Sequence, residues 1–517
     1  MNHKRVFNHF AARTAVGLTV VLSPCLTSRG QQITPNPNPL GNTITVTNLA
    51  ENYEVFDNWG IIDIWLSGGL WNWADLRNLD GGTIDNQGTI NNGTAADPTG
   101  DIDNKGTIVN SGQIIGFGTI ANSGTVENED GAIDNSGTLD NLGAIHNSSS
   151  SFLYNRYRGT IHNGTAADSA ADIDNEGIIV NDGQIIGSGT LANSGTLENN
   201  GGIVNDGALD SSGTIDNSGT IDNFGVIHNR SSGFLYNRYW GTIHNGTAAD
   251  SAADIDNEGT IVNDGRIIGF GTLANSGTLE NNGGIVNDGA LDSSGTIDNS
   301  GTIGNLGAID NRSSGLLYNR DLGIINNGTA AASAADIDNE GTIVNRGQII
   351  GFGTIDSSGT LDNLGAISNR SSGFLYNRNS GVINNGTAAD SGGDIDNRGT
   401  IVNSGEIHGF GTIENYGTIE NNGGHIDNNG ALENHGTLDN FGAIRNSRSA
   451  FLYNRDSGTI HNGTTGNFDG NIDNEGTIVN SGDIPSFGTL DNSGTINNLG
   501  VGFLSSMVHD LHNTGTI

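Results

Sequence analysis

Five short segments place two aspartates one residue apart: Asp101/Asp103, Asp172/Asp174, Asp254/Asp256, Asp336/Asp338 and Asp394/Asp396, each in the tetrad Asp-Ile-Asp-Asn. In an extended chain, residues i and i+2 project from the same side, so each pair offers two carboxylates together. Such hard oxygen donors suit calcium, and Asp172, Asp174, Asp254, Asp256, Asp336 and Asp338 are the candidate ligands for a calcium-binding structural role. Neither the helix–loop–helix calcium loop nor a Gly-Gly-x-Gly-x-Asp array accompanies them. The plainer expectation is a hydrated acidic rim. A second set recurs in Leu-Tyr-Asn-Arg: Tyr154/Arg156, Tyr236/Arg238 and Tyr318/Arg320, followed by Tyr376/Arg378 and Tyr453/Arg455. Tyrosine beside arginine can contact a sugar or a carboxylate. The same residues can instead close a corner, arginine bonding carbonyls and tyrosine covering the edge of the core. His162, His228, His244 and His461 fill a slot that aspartate also uses, which gives little support to a metal site.

These residues sit in a chain written in six-residue units, Gly-Thr-Ile-x-Asn-x. Residues 213–224 read GTIDNS and GTIDNF, followed by GVIHNR. An apolar residue every sixth position fits neither an amphipathic helix nor a coiled coil. Thr-Ile-x favours extended backbone, and Asn-x-Gly is turn chemistry because Asn and Gly tolerate positive φ. The expected fold is all-β: a single parallel β-helix, or β-solenoid, in which each unit forms one side of a coil. Isoleucine points inward, threonine and the variable residue point outward, and stacked asparagines form ladders near the corners. At about 18–24 residues per coil the rod would be roughly 85–115 Å long.

A longer repeat overlies the hexad. The tyrosines of Leu-Tyr-Asn-Arg are separated by 82, 82, 58 and 77 residues, with Trp71 as a divergent first copy. The short copy lacks four hexads; the 77-residue copy lacks one and gains a residue. Losing a hexad should turn everything downstream by one side of the coil, which disfavours a single flat ice-binding face. The Ala-Ala-Asp segments, Ala166–Ala171 and Ala248–Ala253, break the beat and read as loops.

Composition fits a thin, repeated core. Of 517 residues 82 are Gly and 6 are Pro, only 34% are hydrophobic, and the formal charge is −37. That charge repels nucleic acid and anionic lipid. Periodic Ile, Leu and Val argue against disorder. Residues 1–31 have the layout of a secretory signal, with Lys4, Arg5 and Arg13 before the apolar run Ala15–Leu22. A lipoprotein signal at Cys25 is the alternative, which Pro24 disfavours. Cys25 is the chain's one cysteine, so the mature part would hold no thiol. The expected organisation is the leader 1–31, an aromatic-rich cap region 32–80, solenoid repeats 81–499 and a partial terminal repeat 500–517. No segment after the leader could cross a membrane as a helix.

No nucleophile elbow, metalloprotease helix, phosphate loop or dinucleotide fingerprint is present. A polysaccharide-active β-helix enzyme would need an irregular cleft of unique residues, whereas nearly every acid here is duplicated in the next repeat. The expectation is a non-enzyme without cofactors, calcium apart. The Gly-Thr-Ile-x-Asn-x array, together with the leader, resembles bacterial autotransporter passengers and filamentous-haemagglutinin-like surface proteins over roughly residues 81–499. That resemblance implies a secreted or cell-surface protein in adhesion, aggregation or coat formation, with surface or matrix glycans and proteins, or its own copies, as partners. The chain stops within a repeat at Ile517 without the family's membrane barrel, so its export route is not carried over.

Overall fold

The computed structural model describes residues 30–455, 457–499, 504–506 and 510–516; the leader falls outside them apart from residues 30–31. Within these residues the chain forms 69 strands and no helix. Almost every strand is the four-residue stretch of one hexad whose second residue is apolar, often Thr-Ile-x-Asn as in Thr214–Asn217 and Thr220–Asn223. Consecutive strands lie on three different faces, and each pairs in parallel with the strands three before and three after it. Thr196–Asn199, for instance, pairs with Thr214–Asn217, Thr on Thr, Leu197 on Ile215 and Asn on Asn. The result is a three-sided β-solenoid of about 24 coils, about 110 Å long at about 4.8 Å per coil. The first face runs from Gln31–Gln32 to Asp510–Asn513, the second from Phe56–Asn58 to Thr495–Asn498, and the third from Thr43–Val46 to Leu504–Ser506. Each is an open stack.

The core is one apolar residue per strand. Ile215, Ile221 and Ile227 are fully buried, one from each face of a coil. Removing such a side chain from water is worth about 1.5–3 kcal/mol, and the three-sided triangle has room for little else. The asparagine two residues on also points inward and is buried. Its Nδ2 donates to the Oδ1 of the asparagine in the next coil, as from Asn199 to Asn217 at 2.7 Å, and to a carbonyl of the following strand, Thr220 O at 3.1 Å. All three corners repeat this pattern, so the amides satisfy groups that a thin core would leave unpaired.

Glycine at the corner has a different reason from the one expected. Among the described residues no regular hexad corner uses positive φ. The nine positive-φ glycines among them are special sites, six of them opening a Gly-Thr loop (Gly93, Gly164, Gly246, Gly328, Gly386 and Gly463). At an ordinary corner the constraint is closeness between coils: a Cβ on Gly219 would lie 2.0 Å from Gly201 O. The residue before it and the glycine itself both donate to one carbonyl below, Ser218 N and Gly219 N to Asn199 O.

Residues 32–80 are continuous with the rod. Their strands, such as Thr43–Val46, Leu49–Asn52 and Phe56–Asn58, enter the same three ladders, with a larger outer aromatic content. Residues 504–506 and 510–513 likewise pair with the coil before them.

The long repeat has a simple meaning in three dimensions. Most coils take 18 residues, but five take 28, as the pairings Ala144 with Asp172, Val226 with Asp254, Ala308 with Asp336, Ala366 with Asp394 and Ala443 with Asn471 record. In each of these wide coils all three corners are enlarged. In the second, they are Arg230–Gly233, Arg238–Gly241 and the loop Gly246–Ala253. We call these five coils collars and the others plain coils.

Candidate interaction surface

Collars lie four coils apart through the first three copies, about 19 Å along the axis. Their Leu-Tyr-Asn strands, Phe152–Asn155, Phe234–Asn237 and Leu316–Asn319, all stand on the first face. The missing hexads then act as the sequence predicts. The fourth such strand, Phe374–Asn377, stands on the third face and the fifth, Phe451–Asn454, on the second. The display turns by one side at each deletion.

The Tyr-Arg pairs are held within the rod. Arg156 Nε and Nη2 donate to Asp134 Oδ1 and Oδ2 at 2.8 and 2.7 Å, and its guanidinium lies 4.5 Å from the Tyr154 ring centroid. Phe152 stacks on Tyr154 with planes 2° apart. Arg238 repeats the arrangement with Asp216 and Tyr236, and Arg320 with Asp298 and Tyr318. Arg378 pairs with Asp356, and Arg455 with Glu433. The guanidinium therefore takes a carboxylate from the coil below rather than the backbone carbonyls expected at a corner. That hydrogen bond raises the Arg156 and Arg238 pKa above the ordinary value. A bidentate pair of this kind fixes orientation, so the collar is bolted to the plain coil beneath it.

Four of the five Asp-Ile-Asp-Asn strands open the coil above a collar, and above the fifth collar the strand is Asn-Ile-Asp-Asn. Asp172/Asp174, Asp254/Asp256 and Asp336/Asp338 share the third face at four-coil intervals, so the pairs do not meet. Beneath Asp174 stands His146 at 3.7 Å, and beneath Asp256 stands His228 at 3.3 Å. The third copy has Asp310 in that place, giving a column Asp310, Asp338, Asp356. Burial first, and then the Asp356 and Asp310 carboxylates, push Asp338 above its usual range. Asp394/Asp396 and Asp101/Asp103 lie on the second face. Among the described residues no three His, Cys, Asp or Glu side chains converge as a metal would require. His162, His244 and His461 each hold an aspartate of the coil below at 2.6 Å: Asp140, Asp222 and Asp439.

The loops leave the coil as the broken hexad beat predicts. Thr165 and Asp168 exchange backbone hydrogen bonds of 2.8 and 3.0 Å, closing a small turn. Buried Ala171 re-enters the core, as do Ala253 and Ala335.

Sequence reasoning missed the tips of the middle corners. Tyr157, Tyr239, Trp240 and Leu322 are 86%, 73%, 82% and 85% exposed, and Tyr239 meets Trp240 edge to face at 4.9 Å. They occupy the two positions between the collar arginine and the next glycine, and that position was the available signal. Beside Leu322 an open cleft of about 350 Å³ is lined by Ser300, Tyr318, Arg320, Asp321 and Arg346.

By its ladders and corners the molecule is a three-sided parallel β-solenoid with periodic collars. The haemagglutinin repeat family model matches residues 66–156, 134–201, 195–238, 241–283, 281–321 and 323–365. These segments span more than half of the chain, which therefore belongs to that family and bears out the filamentous-haemagglutinin-like resemblance. A comparison with curated proteins finds no match. Among solved structures the chain is similar to a fragment of TibA hyper-glycosylated by TibC, at 12% identity, covering 84% of this chain and 99% of that one, with a TM-score of 0.14. No helix among the described residues is long and apolar enough to cross a membrane.

Proposed function

We propose that this chain is an extracellular, adhesin-like rod that acts in adhesion, aggregation or coat formation through multivalent, non-catalytic contacts. One observation carries the reading: collars with three enlarged corners recur five times on a stiff shaft built mostly of regular coils. Duplicated weak contacts on a rigid scaffold gain by effective concentration, whereas catalysis needs one irregular site. The haemagglutinin-repeat family membership and the acidic, nucleic-acid-repelling surface support an exported, surface-displayed protein of a bacterium. Protease shaving of intact native cells, with the medium assayed in parallel, tests where it acts. Release of solenoid peptides from the surface is expected. Recovery of the chain only from lysed cells would overturn the reading. Beads coated with the purified chain should also bind to cells or to each other, and beads that bind neither would remove the adhesive role.

A further inference from the structure

The five collars differ in one systematic way. Each carries the same Tyr-Arg-carboxylate assembly, so that assembly is scaffold. The corner tips beyond it vary. In the three collars that share an edge of the rod, the tips are Tyr157-Arg158, Tyr239-Trp240 and Asp321-Leu322, and each includes a large apolar side chain more than two-thirds exposed. In the two collars turned away from that edge, the corresponding positions hold Asn379 and Ser380 in one and Ser457 in the other. Apolar tips thus occur where collars are collinear.

We propose that this edge is a binding track for a neutral polysaccharide chain, which lies along the rod and stacks on Tyr157, on Tyr239 and Trp240, and against Leu322. The proposal rests on the adhesin reading above and names its ligand class. A protein interface of ordinary stability buries about 1,200–2,000 Å², but the tips are small patches separated by three plain coils, about 14 Å of polar surface. A linear polymer can span such gaps. A sugar ring presents a C–H face to an aromatic side chain and hydroxyls around its rim, matching side chains that are apolar in the body and wet at the tip. Polar partners stand close by: Arg158 beside Tyr157, and Ser300, Asp321 and Arg346 in the cleft beside Leu322. Charge selects among polymers. A surface with formal charge −37 repels nucleic acid and sulfated or uronic chains, while an uncharged chain meets no such barrier.

The test is affinity electrophoresis and calorimetry of the full chain with a neutral β-glucan, an α-mannan and a galactan, and with hexasaccharides of each. At least one polymer should retard the chain, and the variant Tyr157→Ser/Tyr239→Ser/Trp240→Ser/Leu322→Ser should lose at least about tenfold in affinity. A second variant inserts one Gly-Thr-Ile-Asp-Asn-Ser unit after Ser218. It turns the first collar off the edge while leaving every tip intact. It should lose polymer affinity by a similar factor and keep hexasaccharide affinity unchanged. Retardation by none of the three polymers, or equal retardation of the tip variant, overturns the proposal. So does sedimentation showing that the tips hold two copies of the chain together. Coated beads separate this result from the broader reading. If the tip variant adheres as well as the original, the sugar track fails and the adhesin stands. If the chain binds polymer but its beads adhere to nothing, the adhesin fails and the track stands.

Discussion

Plain coils and collars are built from the same hexads and solve different problems. A plain coil has little freedom: its apolar residues, corner glycines and most of its asparagines meet residues of the same kind above and below. A collar keeps those inner residues and spends its ten extra residues outside, in corners that hold the coil below through arginine–carboxylate pairs and backbone hydrogen bonds and then enter solvent. Stability is therefore concentrated in the monotonous part of the sequence, and individuality in the interruptions.

That contrast can be broken most directly in the core. Because repeat arrays open locally, hydrogen exchange of individual coils is the appropriate measure. Ile221→Ala, in a plain coil, should lower local stability by about 2–5 kcal/mol. Trp240→Ser, at a collar tip, should stay within about 0.5 kcal/mol. Equal effects would end the division of labour. At the corners, Gly219→Ala forces a Cβ against Gly201 O and should cost about 1–3 kcal/mol. Gly284, by contrast, has nothing within 4 Å of a Cβ, and Gly284→Ala should be neutral or gain about 0.4–1 kcal/mol.

A third change sharpens the comparison where the two coil types meet. Ser211, Ser293 and Ser357 interrupt the amide ladder directly below a collar, and Asn229, Asn311 and Asn377 each keep a buried Oδ1 without a donor. Below the first collar the same position is Asn128, whose Nδ2 reaches Asn147 Oδ1 at 2.7 Å, so an amide fits there. Ser211→Asn should raise protection of the collar above it by about 1 kcal/mol; a loss would show that the short side chain is required. The smallest effect concerns charge. Asp338 has its pKa raised in the fold by burial and by Asp356 and Asp310. Its contribution is therefore favourable below the unfolded value, near about 3.9, and is lost as pH rises through the folded value. Asp338→Asn should be more stable at pH 7 by less than about 0.5 kcal/mol and indistinguishable from the original at pH 3.

The plain coil was legible in the sequence because its unit repeats without change: Thr-Ile-x-Asn dictates strand, inward face and ladder together. The number of sides was not, since identical hexads stack equally well in any closed polygon and the corner angle is set by backbone contact between coils. The Arg156–Asp134 pair was hidden for the same reason. The two residues are 22 apart, and only a known coil length makes them neighbours. The aspartate tetrads were conspicuous by composition, yet the fold separates them, three along the third face and two along the second. Tyr157 and Trp240 were inconspicuous because they fill slots without a repeat, where periodicity carries no information.

Most corners of the shaft offer the same amide donor, acceptor and apolar contact to whichever hexad is stacked on them, and hexads of one kind stand on all three faces. Replication slippage that adds or removes six codons in the gene therefore introduces no new contact inside the molecule. It turns everything encoded downstream by one third of a revolution. The fourth and fifth collars stand turned in this way, and such a change re-aims the outer surface without altering the amino acids that form it.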